Sequence, residues 1–88
     1  MKYVIDFCRE QPVGGKFSFS ETIGNERHDD VIYAERLSEN DFHIRVFGEN
    51  GWSSYWTLDV FGDDWVLYDP KTYTEQEWED ILIWEKLG

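Results

Sequence analysis

Eighty-eight residues carry nineteen Asp and Glu against eight Lys and Arg, a formal charge of −11, with 41% hydrophobic and 18% aromatic content. That length holds one modest core, so residues 1–88 are read as a single small acidic domain, and the aromatic share separates the chain from acidic disordered tails. The composition disfavours direct binding to nucleic acid, whose phosphates repel such a surface. A lone cysteine, Cys8, excludes an internal disulfide framework and fits a reducing cytoplasm. There is no cationic segment followed by an apolar leader and no apolar run near ~18 residues, so neither secretion nor a membrane is expected.

In chain order, turn signals separate alternating segments at the spacing of a meander. Residues 2–8 (KYVIDFC) alternate loosely and read as a first strand. Gln11-Pro12-Val13-Gly14-Gly15 turns the chain into 16–23, where Phe17, Phe19 and Ile23 share a face, so these two segments are expected to form a hairpin. Residues 24–30 (GNERHDD) read as a polar loop. Over 31–37, Val31, Tyr33 and Leu37 fall on one face; after a turn at 38–41, Phe42, Ile44 and Val46 line one side of 42–47. Asn50-Gly51 tolerates the positive φ of a tight hairpin turn and sits between two alternating segments. The spacing over 52–61 then places Trp52, Trp56, Leu58 and Val60 inward and Tyr55, Thr57 and Asp59 outward, with Phe47, Phe61 and Tyr68 on the outward face too. Gly62-Asp63-Asp64 leads into a short last strand at 65–68, closed by Asp69-Pro70 because proline cannot donate to a ladder.

The C-terminus reads as a helix. Thr74 with Glu77 three residues later forms a capping box, and Glu75 and Glu77 suit the positive end of the helix dipole. Trp78, Ile81 and Leu82 fall on one stripe with Trp84 at its flank, while Ile83 and Leu87 lie roughly opposite. The expected fold class is α+β: an antiparallel sheet of five or six strands, built from hairpins, with one C-terminal α-helix packed on one face.

Charge is distributed unevenly. Residues 48–88 hold ten carboxylates against Lys71 and Lys86, whereas the first 47 hold nine acids and six bases, and all five tryptophans lie in the more acidic half. On a helix, positions three and four apart are neighbours, which groups Glu75 with Glu79 and Glu77 with Asp80. Asp63 and Asp64 sit at a turn, and Asp69 begins the approach to the helix. This pattern predicts an acidic partner-binding face made by Asp63, Asp64, Asp69, Glu75, Glu79 and Asp80, with Tyr68 and Tyr73 as nearby anchors, since aromatic rings serve interface centres and cation–π contacts. The plainer reading of the same acids is a solubilising surface.

No catalytic or metal-binding pattern competes with this. His28 with Asp29 and Asp30 supplies adjacent ligands on one segment and no second cluster, poor geometry for zinc, and no calcium loop matches. Cys8 lies in an apolar segment, only His28 and His43 could serve as a base, and no nucleophile elbow is present. Gly14-Gly15 precedes a strand and not a helix, which argues against a phosphate loop. A non-catalytic protein without cofactors is expected.

In character, though in no single motif, the chain resembles the small acidic inhibitors of the anti-CRISPR and anti-restriction kind that mimic DNA, and the immunity proteins that neutralise basic nuclease toxins. The resemblance implies a stoichiometric inhibitor whose carboxylates stand in for phosphates on a basic nuclease or CRISPR or restriction effector. The apolar outer side of the helix and the uncovered aromatics imply a rival: a homodimeric assembly or adaptor module.

Overall fold

Val4, Phe7 and Cys8 recur at the i, i+3, i+4 spacing of a helix, and that period wins over the loose alternation of the same stretch. The structure, a computed structural model, describes residues 2–23, 26–49 and 51–87, with side chains described for 2–20, 30–49 and 51–84. In it the expected first strand is helix α1, Val4–Glu10, which buries Val4, Phe7 and Cys8. Its N-cap, Tyr3, makes no side-chain capping bond, so the usual start signal is missing. The expected 2–8/16–23 hairpin is therefore a helix followed by a strand.

Five strands follow: β1 (Lys16–Ile23), β2 (Glu26–Arg36), β3 (Asp41–Val46), β4 (Trp52–Thr57) and, after a 3-10 turn at Leu58–Val60, β5 (Val66–Tyr73). They form one sheet in the order β4-β3-β2-β1-β5, antiparallel at every pairing, and α2 (Glu75–Leu87) closes the chain. This is the expected α+β arrangement with a five-stranded sheet, plus helix α1 in place of the expected first strand. The 24–30 segment is not a loop throughout: β2 already pairs with β1 at Ile23↔Glu26.

α1 and the 3-10 turn cover one face of the sheet. Against them lie Phe17 and Phe19 of β1, Ile32 and Ala34 of β2, and Phe42, Ile44 and Val46 of β3, all buried. Phe7 meets Phe17 edge-on at 5.3 Å between centroids, and Phe61 bridges Phe42 at 5.1 Å and Trp56 at 5.4 Å. Each such ring contributes ~1.5–3 kcal/mol by burial, with ~0.5–1.5 kcal/mol more from a well-oriented aromatic pair. On β2 the inward residues are Ile32, Ala34 and Arg36, so the Val31/Tyr33/Leu37 set belongs to the other face; Val31 and Leu37 are exposed. Phe61, expected outward, is fully buried, because the strand ends at Thr57 and the 3-10 turn swings the ring under the sheet. That early end also leaves Val60 exposed, contrary to the inward placement read from alternation; Trp52 does share the inward face, opposite Val46 and 5.8 Å from the Trp56 ring, but at its exposed rim.

Arg36 is the unexpected member of the core. It is 8% exposed, and its guanidinium crosses the Phe42 ring at 5.5 Å. It donates to the carbonyls of Arg9 (3.1 Å), Gln11 (2.6 Å), Ser38 (3.2 Å) and Glu39. The first two close the C-terminal end of α1, where a cation meets the negative end of the helix dipole. One side chain thus ties α1 to the β2–β3 turn.

Two connections differ from their sequence signals. The β3–β4 link runs from Phe47 to Gly51, longer than a two-residue turn; among its described residues Gly48 takes a positive φ (+128°), and Gly51 N–H donates to Gly48 O (3.1 Å). Asn50 lies outside the described residues. β5 continues through Asp69-Pro70 instead of ending there. Between Ser18↔Lys71 and Ser20↔Tyr68 it carries one more residue than β1, a bulge at which Asp69 adopts φ 49°. An edge strand tolerates this, since the missing proline N–H faces away from the ladder. No described helix is long and apolar enough to cross a membrane.

Candidate partner-binding face

The second face of the sheet holds Lys16, Ser18 and Ser20 of β1, Tyr33 and Glu35 of β2, His43 and Arg45 of β3, Tyr55 of β4, and Lys71 and Tyr73 of β5, as the register dictates. α2 lies over part of it. The helix starts with the expected capping box: Glu77 N–H donates to Thr74 Oγ1 (3.2 Å) and Thr74 N–H to Glu77 Oε1 (3.0 Å). These bonds from Thr74 hold the Glu77 carboxyl below its usual pKa, with a smaller contribution from the Lys71 charge.

Trp78 is buried and anchors the helix. Its ring meets Tyr73 at 5.9 Å and Tyr33 at 6.2 Å, and the Arg45 guanidinium lies over it at 5.8 Å. Tyr33 in turn packs on Phe47 at 4.9 Å, and the Tyr73 hydroxyl shares a 2.7 Å hydrogen bond with Ser18. Past this anchor the helix is loosely held. Ile81 and Leu82 are half-buried, Ile83 is 56% exposed and Trp84 75%; the Leu87 side chain lies outside those described.

The acidic residues singled out from sequence separate into groups. Asp63 and Asp64 are exposed on the loop before β5, and Glu75 begins α2 after its far end. An eight-residue strand at ~3.3 Å per residue puts about 20–25 Å between them. Tyr68 and Asp69 are exposed at the middle of that strand, beside the bulge. Asp80 and Tyr73 meet in one depression of about 340 Å³ between α2 and the sheet, lined also by Tyr33, Lys71, Glu77 and Ile81. Glu79 is exposed on α2, and Asp80 accepts from Gln76 (3.1 Å). Glu75 pairs with Lys16 at 3.0 Å, and Tyr73 is half-buried beneath the helix. The set therefore follows one line along β5 and onto α2.

The cations determine what charge that line retains. Among the described side chains, Lys2 pairs with Glu10, Arg9 with Asp6, and Lys16 with Glu35 and Glu75. The other three turn elsewhere: Arg36 to backbone carbonyls, Arg45 to the Trp78 ring and Lys71 to the Tyr73 ring at 5.4 Å. One guanidinium nitrogen of Arg45 is buried without a hydrogen-bond partner among the described residues. No described cation lies within ion-pairing distance of Asp63, Asp64, Glu79 or Asp80. Sequence could count these bases but not foresee that half of those described serve rings and carbonyls.

Other titratable groups offer no rival centre. Burial pushes the Cys8 thiol up to about 12, against a smaller opposing effect of Arg36. His43 is lowered by burial first and by Arg45 second, with Glu35 opposing; its ring stacks on Tyr55 at 4.6 Å. Among the described residues no three His, Cys, Asp or Glu side chains converge on a metal position; His28 and Asp29 lie outside the described side chains. Comparison with known protein families, curated proteins and solved structures found no match to this chain.

Proposed function

We propose that the chain is a stoichiometric protein inhibitor that docks an acidic face onto the basic nucleic-acid-binding site of a nuclease or of a CRISPR or restriction effector. The observation that carries this reading is the use of the cations. Arg36, Arg45 and Lys71 are engaged by carbonyls and rings, and no described cation lies within ion-pairing distance of Asp63, Asp64, Glu79 or Asp80. Exposed Tyr68 beside Asp69 supplies an aromatic contact on the same strand. Long-range attraction to a Lys- and Arg-lined site would speed association and weaken as salt rises. Glu75 and Tyr73 contribute by holding α2 in place.

The test is capture of proteins from a nucleic-acid-depleted bacterial lysate on the immobilised chain, with duplex DNA as competitor. The variant combines Asp63→Lys, Asp64→Lys and Asp80→Lys with Asp69→Asn, because asparagine tolerates the positive φ that lysine would strain. Each reversal adds two positive units and the Asn one, taking the formal charge from −11 to −4. The parent is expected to retain a nucleic-acid-processing protein that DNA displaces and whose activity falls to zero at one equivalent. Retention by the variant equal to the parent's, or indifference to DNA, sinks the proposal.

A further inference from the structure

We propose that the β4 edge is a self-association surface: two copies pair antiparallel through Trp52–Thr57 about a twofold axis and continue the sheet across the interface. This is independent of the acidic-face reading. The sheet treats its two edges differently. At β5 the chain's own first residues cover one end: Leu67 N–H donates to Lys2 O (2.9 Å), Val4 N–H to Trp65 O (2.9 Å), and Tyr3 bridges Val66. Further along come the bulge, Asp69 at φ 49°, Pro70 and Lys71. Bulges, prolines, edge lysines and covering segments are how sheets block unwanted pairing.

Among the described residues, β4 has none of these. Its sequence, WSSYWT, contains no proline, glycine, acid or base, and its pairing with β3 is unbroken from Asp41↔Thr57 to Val46↔Trp52. Trp52 and Tyr55 stand 44% and 74% exposed. In a chain of charge −11, this uncharged edge is where a second copy meets least repulsion. The hydrogen-bond phase is also fixed. Leu58 N–H donates to Asn40 O (2.9 Å), so alternation turns the backbone groups of Ser54 and Trp56 toward β3 and those of Ser53, Tyr55 and Thr57 outward.

The occupant is a second copy because the strand complements itself. With the twofold at Tyr55, Ser53 faces Thr57 of the other copy and Tyr55 faces its own equivalent, giving about six N–H···O bonds. Hydroxyl and aromatic cross-strand pairs of this kind stabilise sheets. The His43 rings stacked behind each tyrosine extend the row on both sides.

Sedimentation velocity on the full chain tests the proposal. A species of about 21 kDa, twice the 10.6 kDa chain, is expected to grow with concentration. It should also grow as salt rises from ~0.1 to ~1 M, shortening the Debye length from ~10 to ~3 Å. Salt weakens the acidic docking described above, so the two readings fail separately. Ser53→Pro removes an outward N–H without touching the β3 ladder, and should stay at the monomer mass while keeping its far-ultraviolet spectrum. If that variant unfolds, hydrogen exchange on the parent decides: the amides of Ser53, Tyr55 and Thr57 should slow on concentration. A parent that stays monomeric at high salt, a folded Ser53→Pro that dimerises like the parent, or unchanged exchange at those amides overturns the proposal. So does a dimer abolished by Trp84→Ser alone, which would place the contact on α2.

Discussion

Replacing Arg36 should do more damage than replacing any exposed charge, although no described carboxylate pairs with it. Arg36→Met keeps most of the volume and the packing over Phe42, and removes the donors to the carbonyls of Arg9, Gln11, Ser38 and Glu39. A hydrogen bond to a charged group contributes about 1.5–3 kcal/mol, so the gross loss is several such terms. Two effects reduce it. Arg9 and Glu39 are exposed, so water can reach their carbonyls, and the variant no longer desolvates a guanidinium. The net expectation is about 3 kcal/mol. For a chain of this size, whose whole stability is ~4–13 kcal/mol, that lowers Tm by roughly 12–24 °C. Arg36→Lys retains the charge but loses the planar fork, so it should fall between parent and Met. Urea titrations of the three proteins check this through the midpoint at constant m-value. A Met variant within about 0.5 kcal/mol of the parent, the range of ordinary surface changes, or a Lys variant no better than Met, would refute the stitching role.

Cys8 has its thiol pushed up to about 12 from 9.0 by burial, so the native chain should not react with a thiol reagent at neutral pH, whereas the urea-unfolded chain should react fully. Because the folded pKa lies above the unfolded one, this group's stabilisation is intact below pH 9 and declines as pH climbs from 9 toward 12; a Cys8→Ala variant should lose that part of the alkaline slope. Thr74→Ala removes the N-cap of α2 and should cost about 1 kcal/mol, read as faster hydrogen exchange in the helix with β1–β3 amides unchanged. Glu77, lowered mainly by its bonds to Thr74, contributes stability above its unfolded pKa of about 4.5 that is lost as pH falls through the lower folded value. The same substitution should therefore flatten the acid limb of the melt.

Alternation found the faces of β1 and β3 because Phe17 and Phe19, and Phe42, Ile44 and Val46, are the large apolar residues of their strands. On β2 it grouped Val31, Tyr33 and Leu37 on one face without telling which face turns to the core: with α2 on one side and α1 on the other, Val31 and Tyr33 are as apolar as Ile32 and Ala34. The residue that would break the tie, Arg36, is of a type normally read as exposed. α1 escaped because seven residues hold both periods and Tyr3 supplies no cap. The charge of 24–30 reads as loop, whereas strand pairing reaches Glu26, because a strand at the sheet surface can carry polar residues. At the candidate site, exposure of Asp63, Asp64, Asp69 and Glu79 was legible from polarity. The engagement of Arg45 by the Trp78 ring was not, since it joins β3 to α2, and Lys71 over Tyr73, two residues apart on β5, was hidden because that strand was expected to end at Asp69-Pro70.

The two proposed surfaces can operate together. β4 and β5 are opposite edges of a five-stranded sheet, and strand spacings of ~4.8 Å separate them by about 19 Å. Pairing at β4 leaves Asp63, Asp64, Tyr68 and Asp69 exposed at the β5 edge, while α2 crosses the second face of the sheet, its Trp78 meeting Tyr73 of β5, Tyr33 of β2 and Arg45 of β3. A twofold at Tyr55 then sets two copies of the acidic line at the outer ends of one continuous sheet. A partner with two basic sites could engage both, and the second contact would form at an effective concentration fixed by the rigid sheet. Placing the uncharged strand at the shared edge and Asp63, Asp64 and Asp69 at the far one keeps like charges apart. An acidic chain needs that separation to bind a polyanion site without repelling its own copy.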